Sequence, residues 1–66
     1  MKLIINGMNK ELDGVATVAD VVRALGLDGN PLVAELDGAV VARDRWGDAA
    51  VRDGAVLELV HFVGGG

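Results

Sequence analysis

A length of 66 residues allows one small domain, and the absence of cysteine rules out disulfides and thiolate metal sites as sources of stability. The net charge of −4 argues against nucleic acid as a partner, because nucleic acid requires a basic surface. Ser, Cys and Tyr are absent and His occurs once, which excludes a Ser/His/Asp or Cys/His nucleophilic centre and argues against zinc. No run approaches the roughly 20 apolar residues of a membrane span, and we expect a cytoplasmic protein without membrane contact.

The first predicted element is a hairpin. Residues 1–6 alternate in the way typical of a strand, with Met1, Leu3 and Ile5 on one face. Asn6-Gly7 is typical of a type I′ turn, which needs positive φ at both central residues. The return strand is predicted over residues 8–13, and Asp13-Gly14 ends it.

A short amphipathic helix follows, predicted over residues 18–25. Thr17 is the predicted N-cap, with Asp20 placed to complete a capping box. Gly26 is the expected left-handed residue after the helix. The predicted apolar face has the spacing i, i+3, i+4, i+7 and consists of Val18, Val21, Val22 and Leu25.

A second hairpin is predicted after the loop at residues 28–31. Its strands are residues 32–36 and 39–41, joined by Asp37-Gly38. Residues 43–47 break the alternation and predict a single turn or short helix. We expect Trp46, within that turn, to pack over one end of the core.

The last strand is predicted over residues 56–62, with apolar side chains on both faces. Such a strand is central in a sheet, or keeps one face for a partner. We place the docking surface on Val60, Phe62 and Val63, beside the end of the chain. For both Val60 and Phe62 the alternative interpretation is ordinary packing, which fits Val60 at least as well as docking does.

Residues 64–66 are three glycines, which predict a flexible tail (64–66) on a folded domain (1–63). Glycine runs of this kind are commonly frayed ends. Here, however, the run directly follows a strongly patterned strand, and the chain offers no other chemistry. The tail would present the α-carboxylate of Gly66, charged at neutral pH, to a channel too narrow for side chains.

The order hairpin, helix, hairpin, turn and final strand predicts an α+β fold, the β-grasp or ubiquitin-like architecture. One helix would pack on one face of a mixed four- to five-stranded sheet. The first and last strands would lie parallel at the centre of that sheet.

With this layout the chain resembles the ThiS family, the sulfur carriers of thiazole formation in thiamin biosynthesis. The likeness extends over the whole length. It includes Asn6-Gly7, the helix start at residues 17–20 and the basic-x-x-aromatic segment at residues 43–46. The ending at residues 60–66, Val-His-Phe-Val-Gly-Gly-Gly, is its most specific part. Gly-Gly endings alone also occur in ubiquitin and in MoaD, the small subunit of molybdopterin synthase.

The resemblance implies a carrier rather than an enzyme. The carboxylate of Gly66 would be adenylated by a ThiF-like, ubiquitin-activating-type enzyme, whose channel would hold Gly64 and Gly65. A persulfide donor would convert it to a thiocarboxylate, and a ThiG-like thiazole synthase would consume the sulfur. No metal or cofactor would be bound by this chain, because ATP and Mg²⁺ would belong to the activating enzyme.

Three other interpretations stay open from the sequence. A MoaD-type carrier would use the same chemistry with a different acceptor. A ubiquitin-like modifier would join Gly66 to a lysine. In a β-grasp interaction module the glycines would be incidental.

Overall fold

The computed structural model describes residues 1–62 and has the predicted architecture. Within these residues a helix packs on one face of a mixed five-stranded sheet of order β2-β1-β5-β3-β4. The predicted final boundary between residues 63 and 64, and the glycine tail, lie outside the described residues. The elements in chain order are β1 Lys2–Ile5, β2 Met8–Glu11, α1 Val18–Ala24, β3 Leu32–Leu36, β4 Ala39–Val41, a 3₁₀ turn Arg43–Arg45 and β5 Ala55–His61.

β5 is the centre of the sheet. It pairs in parallel with β1 and antiparallel with β3, and this confirms the predicted parallel neighbours. A parallel pair cannot be joined by a tight turn. A long connection therefore joins β1 to β5. It contains all the other elements, including the helix.

Both predicted hairpin turns are confirmed. The φ angles of Asn6 and Gly7 are 50° and 79°, and those of Asp37 and Gly38 are 50° and 88°. These positive values are those that type I′ turns require, and Asn, Asp and Gly tolerate them best.

The helix has the predicted N-cap. The Thr17 hydroxyl accepts the Asp20 N–H at 3.2 Å, and the Asp20 carboxylate accepts the Thr17 N–H at 3.1 Å. At the other end Leu27 N–H donates to Val22 O and Gly26 N–H to Arg23 O, both at 2.9 Å. This paired pattern satisfies two carbonyls of the last turn.

Four elements differ in extent from prediction, and the first is β1, which spans Lys2–Ile5 rather than residues 1–6. β2 stops at Glu11 rather than residue 13. Leu12 N–H still donates to Met1 O, but Gly14, at φ 73°, then turns the chain away from the sheet. The helix stops at Ala24, and Leu25 is its C-cap. β5 spans Ala55–His61 rather than residues 56–62, although Phe62 N–H still donates to Pro31 O at 3.2 Å.

The core lies between the helix and the inner face of the sheet. Val18, Val21 and Val22 of the helix are buried against it, while the predicted fourth member, Leu25, is only partly buried. Trp46 is buried within the core, and its indole Nε1–H donates to Val41 O at 2.9 Å. The buried sheet residues are Leu3, Ile5, Leu32, Ala34, Ala55, Leu57 and Leu59.

Candidate functional site

The outer face of the sheet, opposite the helix, is the candidate docking surface. Along β5, Ala55, Leu57 and Leu59 are buried, and the alternating residues Val56, Glu58 and Val60 are exposed. We define the outer face by seven residues of β3, β4, β5 and the position after β5. They are Val33, Glu35, Val40, Val56, Glu58, Val60 and Phe62.

Two of the three predicted docking residues lie on this outer face. Val60 is 51% exposed and Phe62 is 49% exposed. Val60 is therefore not part of the buried core, and its side chain lies directly opposite Val33 on the sheet surface. Whether the two residues dock a partner stays a prediction. Val63 and the predicted channel and acceptor residues Gly64, Gly65 and Gly66 lie outside the described residues.

Sequence reasoning missed the contribution of the neighbouring strands to this surface. Val33 lies directly opposite Val60 in the β3–β5 register. Val40 of β4 is 69% exposed and lies opposite Glu35. Alternation in residues 32–36 was the available signal, since it places Val33 and Glu35 on the face opposite Leu32 and Ala34.

The carboxyl end of β5 is held on its β1 side by Asn6. The Asn6 side chain donates to Leu59 O at 3.1 Å and accepts the Leu59 N–H at 2.8 Å. The carboxamide thus continues the β1–β5 pairing beyond the last residue of β1. The sequence indicated Asn6 only as a turn residue, because nothing local connects it with a residue 53 positions away.

On its β3 side, the same end is held by the loop before β3. Arg43 donates to the carbonyl of Asn30, and its guanidinium lies 4.6 Å from the ring centroid of Trp46. The Asn30 amide is 3.5 Å from Nε2 of His61. Arg43 therefore ties the 3₁₀ turn to the loop that flanks the last residues of β5. Arg45, in contrast, forms its one ion pair within residues 1–62 with exposed Asp48, at 3.8 Å.

The described residues carry little chemistry of their own. Among residues 1–62 no group of three or more His, Asp or Glu side chains could hold a metal ion. None of the described helices is long and apolar enough to cross a membrane. A hydrogen bond from the backbone N–H of Ala16 lowers the pKa of Asp20, with smaller contributions from Thr17 and Arg23. This shift belongs to the helix cap and not to a reaction site.

Comparisons with known proteins agree with this architecture. The ThiS family model matches residues 3–66. The sulfur carrier protein ThiS of Bacillus subtilis is 30% identical over 50 residues, which are 76% of this chain and 76% of that protein. The crystal structure of the thiamine biosynthesis protein ThiS from Geobacter metallireducens superposes with a TM-score of 0.84 at 32% identity and covers both chains completely.

A further relative is a longer protein. The thiazole synthase of Paramagnetospirillum magneticum is 36% identical over all 66 residues of this chain, which spans only 20% of that protein's length. The match over residues 3–66 and the agreement with a solved ThiS fold lead to one conclusion: the chain belongs to the ThiS family.

Proposed function

We propose that this protein is a sulfur carrier of thiamin biosynthesis, and that the α-carboxylate of Gly66 is the group that receives the sulfur. One observation carries the proposal. The exposed outer face of β5, with Val60 and Phe62, leads along the chain directly into the Val-Gly-Gly-Gly ending of a ThiS-family protein. A partner that covers this face is therefore well placed to receive residues 63–66.

The proposed chemistry takes place in partner proteins. An oxygen of the Gly66 carboxylate attacks the α-phosphate of ATP, pyrophosphate leaves, and an acyl adenylate forms. The terminal sulfur of a persulfide then attacks the acyl carbon and AMP departs. A thiol cleaves the resulting S–S bond, which frees the thiocarboxylate and leaves a disulfide on the donor.

We assign ATP, Mg²⁺ and the groups that stabilise phosphate charge to a ThiF-like adenylating enzyme. The persulfide comes from a separate donor, and a thiazole synthase takes the sulfur. The likeness to a protein named thiazole synthase supports this last assignment. In this scheme the present chain is a co-substrate and not an enzyme.

Docking of the folded body is needed for energetic reasons. Ordering three glycines costs about 3–6 kcal/mol, at about 1–2 kcal/mol per residue. One carboxylate and a few backbone hydrogen bonds offset little more than this cost. The outer face must supply the remaining binding free energy.

The position of the carboxylate provides the main test. The wild-type chain, ending in a free Gly66 carboxylate, is incubated with ATP, the adenylating enzyme and a persulfide donor. Mass spectrometry should show one sulfur-for-oxygen exchange. A chain with one alanine added after Gly66 should keep its starting mass, because the carboxylate moves by about 3.5 Å and a Cβ enters the channel. Equal thiocarboxylation of both chains would contradict the proposal.

Docking can be tested separately. Val60→Ala and Phe62→Ala should raise the KM of the adenylating enzyme for the carrier while thermal stability changes little. Met8→Ala is the matched control, because Met8 is also an exposed apolar residue, at 62%, and lies on edge strand β2. The same rise in KM in all three variants would show that the outer face does not dock the adenylating enzyme specifically.

A further inference from the structure

Two carboxylates lie at the centre of the outer face, side by side on neighbouring strands. Glu35 of β3 and Glu58 of β5 are direct partners in the antiparallel register. The next pair along the same face is Val33 and Val60. On the β4 side, Glu35 lies opposite Val40. The two acids therefore have apolar neighbours in Val33, Val40 and Val60, whereas Asn6 lies on the β1 side and Asp37 follows at the end of β3.

Nothing in the fold accounts for this arrangement. Like charges directly opposite each other destabilise an antiparallel pair. Strands β3, β4 and β5 contain no lysine or arginine. Within residues 1–62, neither glutamate takes part in a salt bridge; the ion pairs that form are Met1–Glu11, Arg23–Asp20 and Arg45–Asp48.

We propose that Glu35 and Glu58 together receive one arginine side chain of the adenylating enzyme when the outer face docks. This inference rests on the proposed function and names the chemistry of its docking contact. Directly opposed residues of an antiparallel pair have Cβ atoms about 4.5–5.5 Å apart. A guanidinium, with five N–H donors in one plane, can bond to two carboxylates at such a spacing.

The apolar surroundings strengthen this contact. Docking places Val33, Val40 and Val60 against the partner and removes water from around the two carboxylates. Charge-assisted hydrogen bonds are stronger in such an environment than in water. Burial of the two carboxylates without a cation between them would oppose docking. A partner that lacks a suitably placed cation would therefore be rejected.

The adenylating enzyme is the occupant because the same strand leads to the reacting group. Glu58 and Gly66 are eight positions apart, a reach of at most about 26–29 Å, and Val60 and Phe62 lie between them on the outer face. A protein that holds Gly66 in its active site and docks on Val60 and Phe62 reaches the pair Val33 and Val60, which lies next to the glutamate pair. The net charge of −4 also favours approach of a basic surface.

The test measures adenylation by ATP–pyrophosphate exchange as a function of carrier concentration. The double variant Glu35→Gln with Glu58→Gln keeps the side-chain shape and removes both charges. We expect its KM to rise about tenfold or more, as for loss of a charge-assisted bidentate contact, with kcat within about twofold and a weaker dependence of KM on salt. Each single variant should already show most of this rise in KM, since one guanidinium uses both carboxylates.

The matched control is the double variant Asp13→Asn with Asp44→Asn. These exposed acids lie after edge strand β2 and in the 3₁₀ turn, outside β3, β4 and β5. Both double variants change the formal net charge from −4 to −2, by removing two acids from the same chain. The control should leave KM within about twofold of wild type, because distant charges are screened by salt.

Several results would overturn the inference. An unchanged KM in the glutamine variant, or an equal rise in the control, would show that the pair makes no specific contact. Loss of folding in the glutamine variant would contradict the premise that the opposed charges are unfavourable in the free protein. A wild-type dimer that dissociates in the glutamine variant would assign the face to a second copy of this chain.

Failure of the proposed function has a different signature. If wild type is not adenylated at all, the proposed function fails, and direct titration of the carrier with the enzyme decides the docking contact independently. Tight binding of wild type that weakens about tenfold in the glutamine variant but not in the control would support the contact. Equal binding of all three would overturn it.

Discussion

The carboxamide of Asn6 offers a sharp test of how the end of β5 is held. Its hydrogen bonds to the backbone of Leu59, at 3.1 and 2.8 Å, join the first turn to the last strand. Asn6→Gly removes both bonds. It preserves the turn, because glycine adopts the φ of 50° found at this position without strain.

The magnitude follows from the number of bonds lost. One intramolecular hydrogen bond contributes about 0.5–1.5 kcal/mol net, so the two bonds together contribute about 1–3 kcal/mol. At a partly buried site, water replaces part of the lost hydrogen bonding. Glycine destabilises the fold by adding backbone freedom to the unfolded chain, and it stabilises the fold by tolerating the positive φ. We expect a net loss of about 1–2 kcal/mol, which lowers the Tm of a domain of this size by about 5–15 °C.

Thermal unfolding measures the loss of stability, and amide hydrogen exchange locates it. The Leu59 amide should exchange faster in Asn6→Gly, because its acceptor Oδ1 is gone. Asp37→Gly is the matched control: Asp37 has the same φ of 50° in the second hairpin turn, and its carboxylate accepts the Val56 N–H at 2.9 Å. That variant should expose the Val56 amide and leave the Leu59 amide protected.

The reasoning would be refuted by an Asn6→Gly variant with wild-type Tm and a protected Leu59 amide. It would also be refuted if both glycine variants exposed the same amides, since the effect would then be a general loosening of the sheet.

Three further predictions test the core, the helix cap and the indole. Val21 is fully buried, so Val21→Asp should cost several kcal/mol and abolish cooperative thermal unfolding; a cooperative transition would show that the helix faces another way. The hydrogen bond from the Ala16 N–H lowers the pKa of Asp20. The ionised Asp20 carboxylate therefore stabilises the fold above about pH 4, and this stabilisation is lost as pH falls through the folded-state pKa. The gap in Tm between wild type and Asp20→Asn should narrow below about pH 4, and a constant gap would contradict this. Trp46→Phe removes the bond from Nε1 to Val41 O and should lower urea stability by about 1–2 kcal/mol; an unchanged midpoint would argue against a stabilising bond.

Most of the secondary structure could be predicted from the sequence because its signals are local. Asn6-Gly7 and Asp37-Gly38 indicated turns through the backbone angles that these residues tolerate. Thr17 and Asp20 indicated the helix start through bonds between residues three positions apart. The number and order of these elements, with one apolar helix face to bury, then favoured the β-grasp fold. Of the candidate site, the predicted docking residues Val60 and Phe62 are exposed, as a docking surface requires.

Tertiary structure alone decided which residues of distant strands share the outer face. The opposition of Glu35 and Glu58 depends on the β3–β5 register, and a shift of one residue would move every side chain to the other face. The contacts of Asn6 with Leu59, and of Arg43 with the carbonyl of Asn30, join segments 53 and 13 positions apart. Such contacts form only after the core has brought the strands together, because the amphipathic pattern of each segment specifies which face is buried but not which neighbour it meets.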